Sequence, residues 1–309
     1  MKIVTLTLSP AFDVHCDAPG FSACHENLAT VTSRDAGGKG VNISRALTKN
    51  GVENTALVVL GRENREEFLS CLAREGISVL EIVTEGRVRE NYTLHTDGMP
   101  ETRISFSGGA VNAALLSEVE SAIVPLLDGE CAVTLTGRVP KGIPIEAVKA
   151  FLCRLSARGV RVVIDSKSFS VKDILDCRPF LIKPNEEEIS DYTSHPVKTL
   201  ADAALAAREI ACGGVENVVI SLGERGAVLA SPTGDFCVAA PEVEVRSTVG
   251  AGDSAIAGFL AATAAGLSDG ERLRTAVAFG SAACMSEGTN PPAPEAIELL
   301  MPLCIPQNK

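Results

Sequence analysis

Short runs rich in Val, Ile, Leu and Thr recur along the chain, and between them apolar residues return every three to four positions. The runs predict strands over 2–8, 54–60, 131–136, 160–165, 179–182, 216–222, 226–231 and 235–240. The intervening segments predict helices near 40–50, 62–75, 117–126, 144–157, 186–192 and 199–212. Strand and helix in alternation imply an α/β fold of three layers, with a mainly parallel sheet covered by helices. The last third changes character, because 251–265 and 269–287 read as Ala-rich helices that follow one another without a strand.

Two stretches break the alternation. Strands at about 12–18 and 28–34 have no helix between them, and neither do 91–96 and 101–106, which flank the turn signal Asp97-Gly98. A βαβ crossover needs a dozen or more residues, so these four strands belong outside the main sheet, in a small β-sheet lid over the body. No internal repeat, low-complexity tract or linker divides the chain. The expectation is one domain over 1–309, with a discontinuous lid from about 12–34 and 91–106.

Charge narrows the partners. The 28 Lys+Arg and 39 Asp+Glu leave a net charge of −11, which repels a phosphate backbone, and with no Trp and 4% aromatics there is little to stack bases on. Nucleic acid is therefore not expected. The longest uncharged apolar stretch, 255–267, is shorter than the ~20 residues of a membrane-spanning helix. The opening MKIVTLTLSP reads as a strand and lacks the features of a signal peptide, so the expected location is the cytoplasm, away from membranes. The ten cysteines form no C-x-x-C pair and read as buried thiols rather than disulfides. His15-Cys16 and Cys24-His25 together offer two nitrogens and two sulfurs to zinc. Neighbours on a strand point to opposite faces, however, so each pair converges poorly on one ion.

The strongest chemical pattern is Ser247-Thr-Val-Gly-Ala-Gly-Asp-Ser254, a glycine turn that runs into an Ala-rich helix. Glycines there let backbone N–H groups aim at one point, and the helix N-terminus adds positive partial charge, which together make an anion hole. A carboxylate beside bound phosphates is repelled unless it has a proton to take, which makes Asp253 a candidate base. Asp253 as an ordinary helix cap is the plain alternative. Gly250-x-Gly252-x-x-Ala255 also fits a dinucleotide fingerprint, but it lies near the C-terminus rather than in an opening βαβ unit.

Near the N-terminus, Asp35-Ala-Gly-Gly-Lys-Gly-Val-Asn42 sets three glycines and a lysine at a helix start. It is not a Walker A loop, because Gly follows Lys39. It suits either a flexible helix entry or a ligand lying against backbone, with Asn42 able to donate and accept. Ser9-Pro-Ala-Phe-Asp13 ends the first strand with a carboxylate, Asp13, suited to accept from sugar hydroxyls. In Ile182-Lys-Pro-Asn-Glu-Glu-Glu-Ile189, Asn185 and Glu188 lie one turn apart, which suits either helix-end electrostatics or a hydrated Mg²⁺. Ser221-Leu-Gly-Glu-Arg-Gly226 is a glycine turn between strands. No G-x-S-x-G, S-x-x-K, H-E-x-x-H or protein-kinase string is present.

In chain order, the S-P-A-x-D, G-G-K-G-x-N, K-P-N-x-x-E, S-L-G-x-x-G and T-V-G-A-G-D strings resemble the ribokinase-like (PfkB) carbohydrate kinases, in the branch of 1-phosphofructokinase and tagatose-6-phosphate kinase. The resemblance spans almost the whole chain. It implies an α/β body with a β lid often used to form homodimers, and transfer of the γ-phosphate of ATP, with Mg²⁺, to a sugar-phosphate hydroxyl. Carried over by position, Asp253 is the base and Gly250, Ala251 and Gly252 are the anion hole. Asn185 and Glu188 act on Mg²⁺ and the phosphates. Lys183, Ser221, Gly223, Gly226 and Thr248 join Asn185 around ATP. Asp13, Gly37, Gly38, Lys39 and Asn42 form the sugar site, and Arg89 reaches the substrate's own phosphate.

Three departures bear on the acceptor. The usual N-P-A is Ser9-Pro-Ala here. The usual S-G-S-L-P-P-G is Thr136-Gly-Arg138-Val-Pro-Lys-Gly142, and the usual V-N-R is Glu26-Asn27-Leu28. The chain has thus lost one cation at Leu28 and gained one at Arg138, and Arg138 is expected to read the substrate phosphate alongside Arg89.

Overall fold

The computed structural model describes residues 1–98, 101–109, 111–193 and 196–307. Its strands are β1 (Lys2–Thr7), β2 (Ala11–Asp17), β3 (Thr30–Gly37), β4 (Thr55–Gly61), β5 (Val79–Thr84), β6 (Arg89–His95), β7 (Thr102–Ser105), β8 (Cys131–Thr136), β9 (Arg161–Asp165), β10 (Leu181–Ile182), β11 (Asn217–Ser221), β12 (Ala227–Ser231), β13 (Gly234–Val238) and β14 (Pro306–Gln307). Its helices are α1 (Lys39–Lys49), α2 (Arg65–Arg74), α3 (Ala114–Ile123), α4 (Ile145–Ala157), α5 (Val171–Cys177), α6 (Glu186–Thr193), α7 (Leu200–Cys212), α8 (Ala251–Ala264), α9 (Asp269–Cys284) and α10 (Pro294–Leu300).

The main sheet runs in the order β14-β13-β12-β11-β10-β9-β8-β1-β4-β5. It is parallel from β11 through β5 and antiparallel from β11 through β14. Successive side chains on a strand face opposite ways, and the sequence uses both faces. Val4, Leu6, Val133, Leu135, Val162 and Ile164 share one core with Phe151 and Leu155 of α4. Ile3, Ala132 and Val163 share the other with Ile43 and Leu47 of α1 and with Ile256, Phe259 and Leu260 of α8.

The four strands set apart by the sequence form a second sheet, β3-β2-β6-β7. Phe12, Val14 and Cys16 of β2 pack in a third core with Phe68 and Leu72 of α2, which seats this sheet on the body. The opposite face of β2 carries Asp13, beside Asn91 of the parallel strand β6, and His15, whose Nδ1 lies 3.0 Å from Nε2 of His95. His15 and Cys16 diverge, as strand geometry requires.

Four short elements escape the sequence pattern. β5 is an edge strand in which Ile82 alone is buried, so no two-residue alternation marks it. α5 and α10 have seven residues each, too few for a helical period to show, although a Ser170/Asp173 capping box starts the first and Pro294 the second. β14 pairs with the end of β13 through two residues. Leu28 precedes β3 instead of opening it, and it is 86% exposed.

Candidate active site

Chain order reverses beside β1: β4 and β5 continue on one side, while β8, β9, β10 and β11 follow on the other. Open α/β sheets bind ligands at the carboxyl ends of strands at such a switch. A cavity of about 630 Å³ lies there, lined by Thr7 ending β1 and Ser9 just after it, Arg138 after β8 and Asp165 ending β9. The lid contributes Asp13, Arg89 and Asn91 to its wall. A second cavity, of about 790 Å³, adjoins it and shares Lys183, Asn185, Ser221 and Gly252 with the first.

The Gly37-Gly38-Lys39-Gly40 segment turns β3 into α1 against β1. A Cβ on Gly37 would overlap the Asp13 carboxylate, and Gly38 has φ of 130° and Thr7 directly behind it. Gly38, Lys39 and Asn42 line the first cavity; Gly37 does not, and instead leaves room for Asp13. Asn91 Nδ2 donates to Asp13 Oδ1 at 3.0 Å, which fixes that carboxylate at the cavity edge.

At the boundary of the two cavities, α8 follows directly on Gly250, whose φ of 80° aims the turn, and no side chain caps this helix. Gly250 and Asp253 face the first cavity, Thr248 and Ala251 face the second, and Gly252 borders both. Asp253 is 6% exposed and does not act as a cap: its Oδ2 accepts from Asn42 Nδ2 at 2.9 Å. Burial pushes its carboxyl up to about 6, aided by Asp165 and opposed by Lys39, Asn42 and Lys183. A carboxylate held near 6 is ionised at neutral pH yet basic enough to take a proton.

Lys39 Nζ lies 2.7 Å from Asp165 Oδ2. Burial alone lowers the ammonium's pKa, but Asp165, Asp253 and Glu188 outweigh it, and Lys39 stays charged. Asp165 has no motif around it in the sequence; its only mark is its place at the carboxyl end of a buried strand.

Asn185 and Glu188 close a reciprocal cap on α6: Glu188 N donates to Asn185 Oδ1 at 2.8 Å, and Asn185 N to Glu188 Oε2 at 3.1 Å. Glu188 Oε1 lies 3.5 Å from Lys167 Nζ and borders the first cavity. Among the described residues no three His, Cys, Asp or Glu side chains converge on a metal-sized site.

The second cavity is mostly apolar. Ser221, Gly223 and Gly226 form one wall, Val219, Leu222, Ala240, Ala276, Val277 and Cys284 are among the apolar residues opposite, and Lys183, Glu186, Glu187 and Lys198 bring charge to its border. Ala276, Gly280 and Cys284 fall at four-residue spacing on one face of α9, a pattern that resembles ordinary helix packing and so was silent in the sequence. The slot suits a flat, uncharged ring, with the shared wall leading any attached phosphates toward Gly250–Asp253.

At the lid end of the first cavity stand Arg89, Arg103, Arg138 and Lys141. Among the described residues none of the four has an ion-pair partner. Arg89 donates to Asn91 Oδ1 at 2.7 Å, Phe106 O at 2.9 Å and Ser9 O at 3.3 Å, while its buried Nε has no partner. Burial lowers its pKa; Asp13 opposes the shift and neighbouring Arg138 adds to it. Leu28 lines neither cavity, so the cation at Arg138 is not a replacement within one pocket of this chain.

The pfkB family carbohydrate kinase profile matches residues 10–296. A 1-phosphofructokinase of Rhodobacter capsulatus is 32% identical over 303 residues, covering 97% of this chain and 96% of that one. A 1-phosphofructokinase of Vibrio cholerae is 32% identical over 257 residues, 83% of this chain and 81% of that one. The crystal structure of phosphofructokinase-2 from Escherichia coli in complex with substrates and products superposes with a TM-score of 0.90 at 27% identity, covering 98% of this chain and 99% of that one.

Proposed function

Because the chain belongs to the pfkB family of carbohydrate kinases, we propose that it transfers the γ-phosphoryl group of ATP to a hydroxyl of a ketohexose phosphate such as fructose 1-phosphate or tagatose 6-phosphate. One observation carries the reading: the buried Asp253 carboxylate stands at the junction of an apolar slot and a cation-rimmed polar cavity, beside an uncapped helix N-terminus.

In this mechanism the adenine ring takes the apolar slot and the triphosphate runs along Lys183, Asn185 and Ser221. Asp13, Lys39 and Asn42 hold the sugar hydroxyls. Asp253 accepts the proton of the attacking hydroxyl while its oxygen bonds to the γ-phosphorus, and the P–O bond to ADP breaks with its electron pair leaving on ADP. Charge on the transferred group is met by the N–H groups of Gly250, Ala251 and Gly252 and by the Lys183 ammonium. Arg89 and Arg138 face the substrate's own phosphate.

The donor set suits Mg²⁺. Glu188 borders the polar cavity with Asn185 beside it, and no three His, Cys, Asp or Glu side chains converge among the described residues, as fits an ion that would be held mostly by phosphates and water rather than by a protein cage. Bound there, the ion neutralises charge on the β- and γ-phosphates.

The lid exposes Leu28, Val31, Ile104 and Phe106, and a second copy of the chain is the occupant we propose for that surface. The cytoplasm is the location we propose; the ten cysteines are free thiols, and no helix among the described residues is long and apolar enough to cross a membrane.

The test is ADP release over a panel of fructose 1-phosphate, fructose 6-phosphate, tagatose 6-phosphate, fructose and ribose, with products identified by phosphorus NMR. A phosphorylated ketohexose is expected to exceed its free sugar in kcat/KM by ~10² or more, as two charged contacts imply. Equal turnover of the free sugars would move the assignment to a kinase of unphosphorylated sugars. No ADP release with any acceptor would leave a sugar-binding protein.

A further inference from the structure

Asn42 and Arg45 lie three residues apart on α1, so their side chains share one face of the helix. Arg45 is 7% exposed, and its Nη1 donates to Asn42 Oδ1 at 3.0 Å. The rest of the guanidinium is anchored from two other elements. Nη2 donates to Ala36 O of β3 at 2.7 Å and to Glu75 Oε1 at 2.9 Å, and Nε reaches Glu75 Oε2, so the fork is bidentate at the C-terminal end of α2. Asn42 in turn donates from Nδ2 to Asp253 Oδ2 at 2.9 Å.

An amide has an oxygen end and a nitrogen end of nearly equal shape, and only its partners decide which way it turns. Turned over, Asn42 would set its oxygen against the Asp253 carboxylate, acceptor against acceptor. Arg45 carries donors alone, so it tolerates only the oxygen of Asn42 on its side. The orientation of the amide at the reacting carboxylate is thus decided by a buried cation that lines neither cavity.

We propose that Arg45 is a positioning residue for phosphoryl transfer: held by Glu75 and Ala36, it fixes the Asn42 amide so that Asn42 Nδ2 donates to Asp253 Oδ2 and the other carboxylate oxygen, Asp253 Oδ1, is left to receive the hydroxyl proton. The proposal rests on Asp253 being the base. Three charged groups besides Asn42 act on Asp253: Lys39 from α1 and Lys183 after β10 favour its ionised form, and Asp165 at the end of β9 opposes it. Losing the amide donation leaves burial and Asp165 less opposed, so the base becomes harder to ionise and its orientation looser.

The experiment is a pH–rate profile of Arg45→Met and Arg45→Lys, each alone and combined with Asn42→Ala, at saturating ATP. Arg45→Met is expected to lower kcat about tenfold at pH 7 and to move the acid limb of kcat/KM upward by about one pH unit, with the KM for ATP unchanged. Arg45→Lys, which keeps the charge and loses the fork, is expected to fall between. In the Asn42→Ala background neither substitution should add to the loss, because its effect passes through Asn42. A residue that merely supports folding would lower Tm and leave the acid limb in place. An unmoved limb, or an undiminished Arg45 effect in the Asn42→Ala background, overturns the proposal. If the Arg45 variants do not fold, Glu75→Gln, which weakens the anchor from a part-exposed position, takes their place with the same readouts. Asp253→Asn assayed alongside separates the two failures: near-normal turnover there removes the base itself, whereas lost turnover there with unmoved Arg45 profiles removes only the role of Arg45.

Discussion

Lys39 at the first turn of α1 and Asp165 at the end of β9 are 126 residues apart in sequence and 2.7 Å apart in space. The pair brackets Asp253 with opposite effects: the ammonium favours the ionised base and the carboxylate disfavours it. Lys39→Met should therefore raise the acid limb of kcat/KM above pH 6, and Asp165→Asn should lower it. Shifts of the same sign in a pH–rate series would show that neither charge is felt at the base. Lys39 is 39% exposed, so solvent screens the pair and the stability lost in either variant should be only about 1 kcal/mol.

Asp253→Asn keeps the shape of the side chain and an oxygen to accept from Asn42, but it cannot take a proton. We expect kcat to fall by ~10²–10⁴ while the Kd of ATP, read by calorimetry, changes little. Turnover within a few-fold of the parent would remove Asp253 from the mechanism.

The same carboxyl has a stability signature. Its pKa is about 6 in the folded chain, above its ordinary value of 3.8, so the folded state binds more protons than the unfolded state between those values. Stability from this group is fully present below pH 4 and is lost as the pH rises through 6, reaching a cost of about 3 kcal/mol at neutral pH. Asp253→Asn should thus raise the urea midpoint of the ligand-free protein at pH 7.5 and have little effect at pH 4. An equal effect at both pH values would mean that the carboxyl is not desolvated.

The layered body was legible because its strands are buried on both faces and its helices are long enough to repeat; Cys131–Thr136 and Ile145–Ala157 are clear cases. The sites on glycine turns were legible because Gly38 and Gly250 need backbone shapes that few other residues adopt. Asp165, Arg45 and the apolar slot were not. A carboxylate at a strand end, a helical arginine and an Ala-Gly-Cys helix face each have common structural uses, and only their three-dimensional neighbours give these particular ones another. Leu28 shows the same limit: a position just before a lid strand does not fix what it faces, and here it is exposed and lines neither cavity.

A homodimer through the lid predicts that Leu28→Asp, at an exposed position that lines neither cavity, shifts the mass found by light scattering from two chains to one. The α/β body should keep its Tm within a few degrees, because the substitution touches no core. A parent protein already monomeric at micromolar concentration would remove the proposed interface.

Arg138 leaves the carboxyl end of β8 and lines the polar cavity with Arg89, close enough to help lower the Arg89 pKa. Two cations that disfavour one another, neither paired with a carboxylate among the described residues, are at their most stable when an anion lies between them. If that anion is the phosphate of the acceptor, Arg138→Ala should raise the KM for the phosphosugar by ~10–100-fold, the worth of one charged hydrogen bond, with little change in the KM for ATP. Arg89→Ala should do the same, and the double variant should lose less than the product of the two, since each cation is easier to hold once the other is gone. Phosphosugar KM values unchanged in Arg138→Ala, or a variant that turns over the free sugar as well as the parent turns over the phosphosugar, would mean that Arg138 reads no phosphate and faces solvent at the cavity mouth.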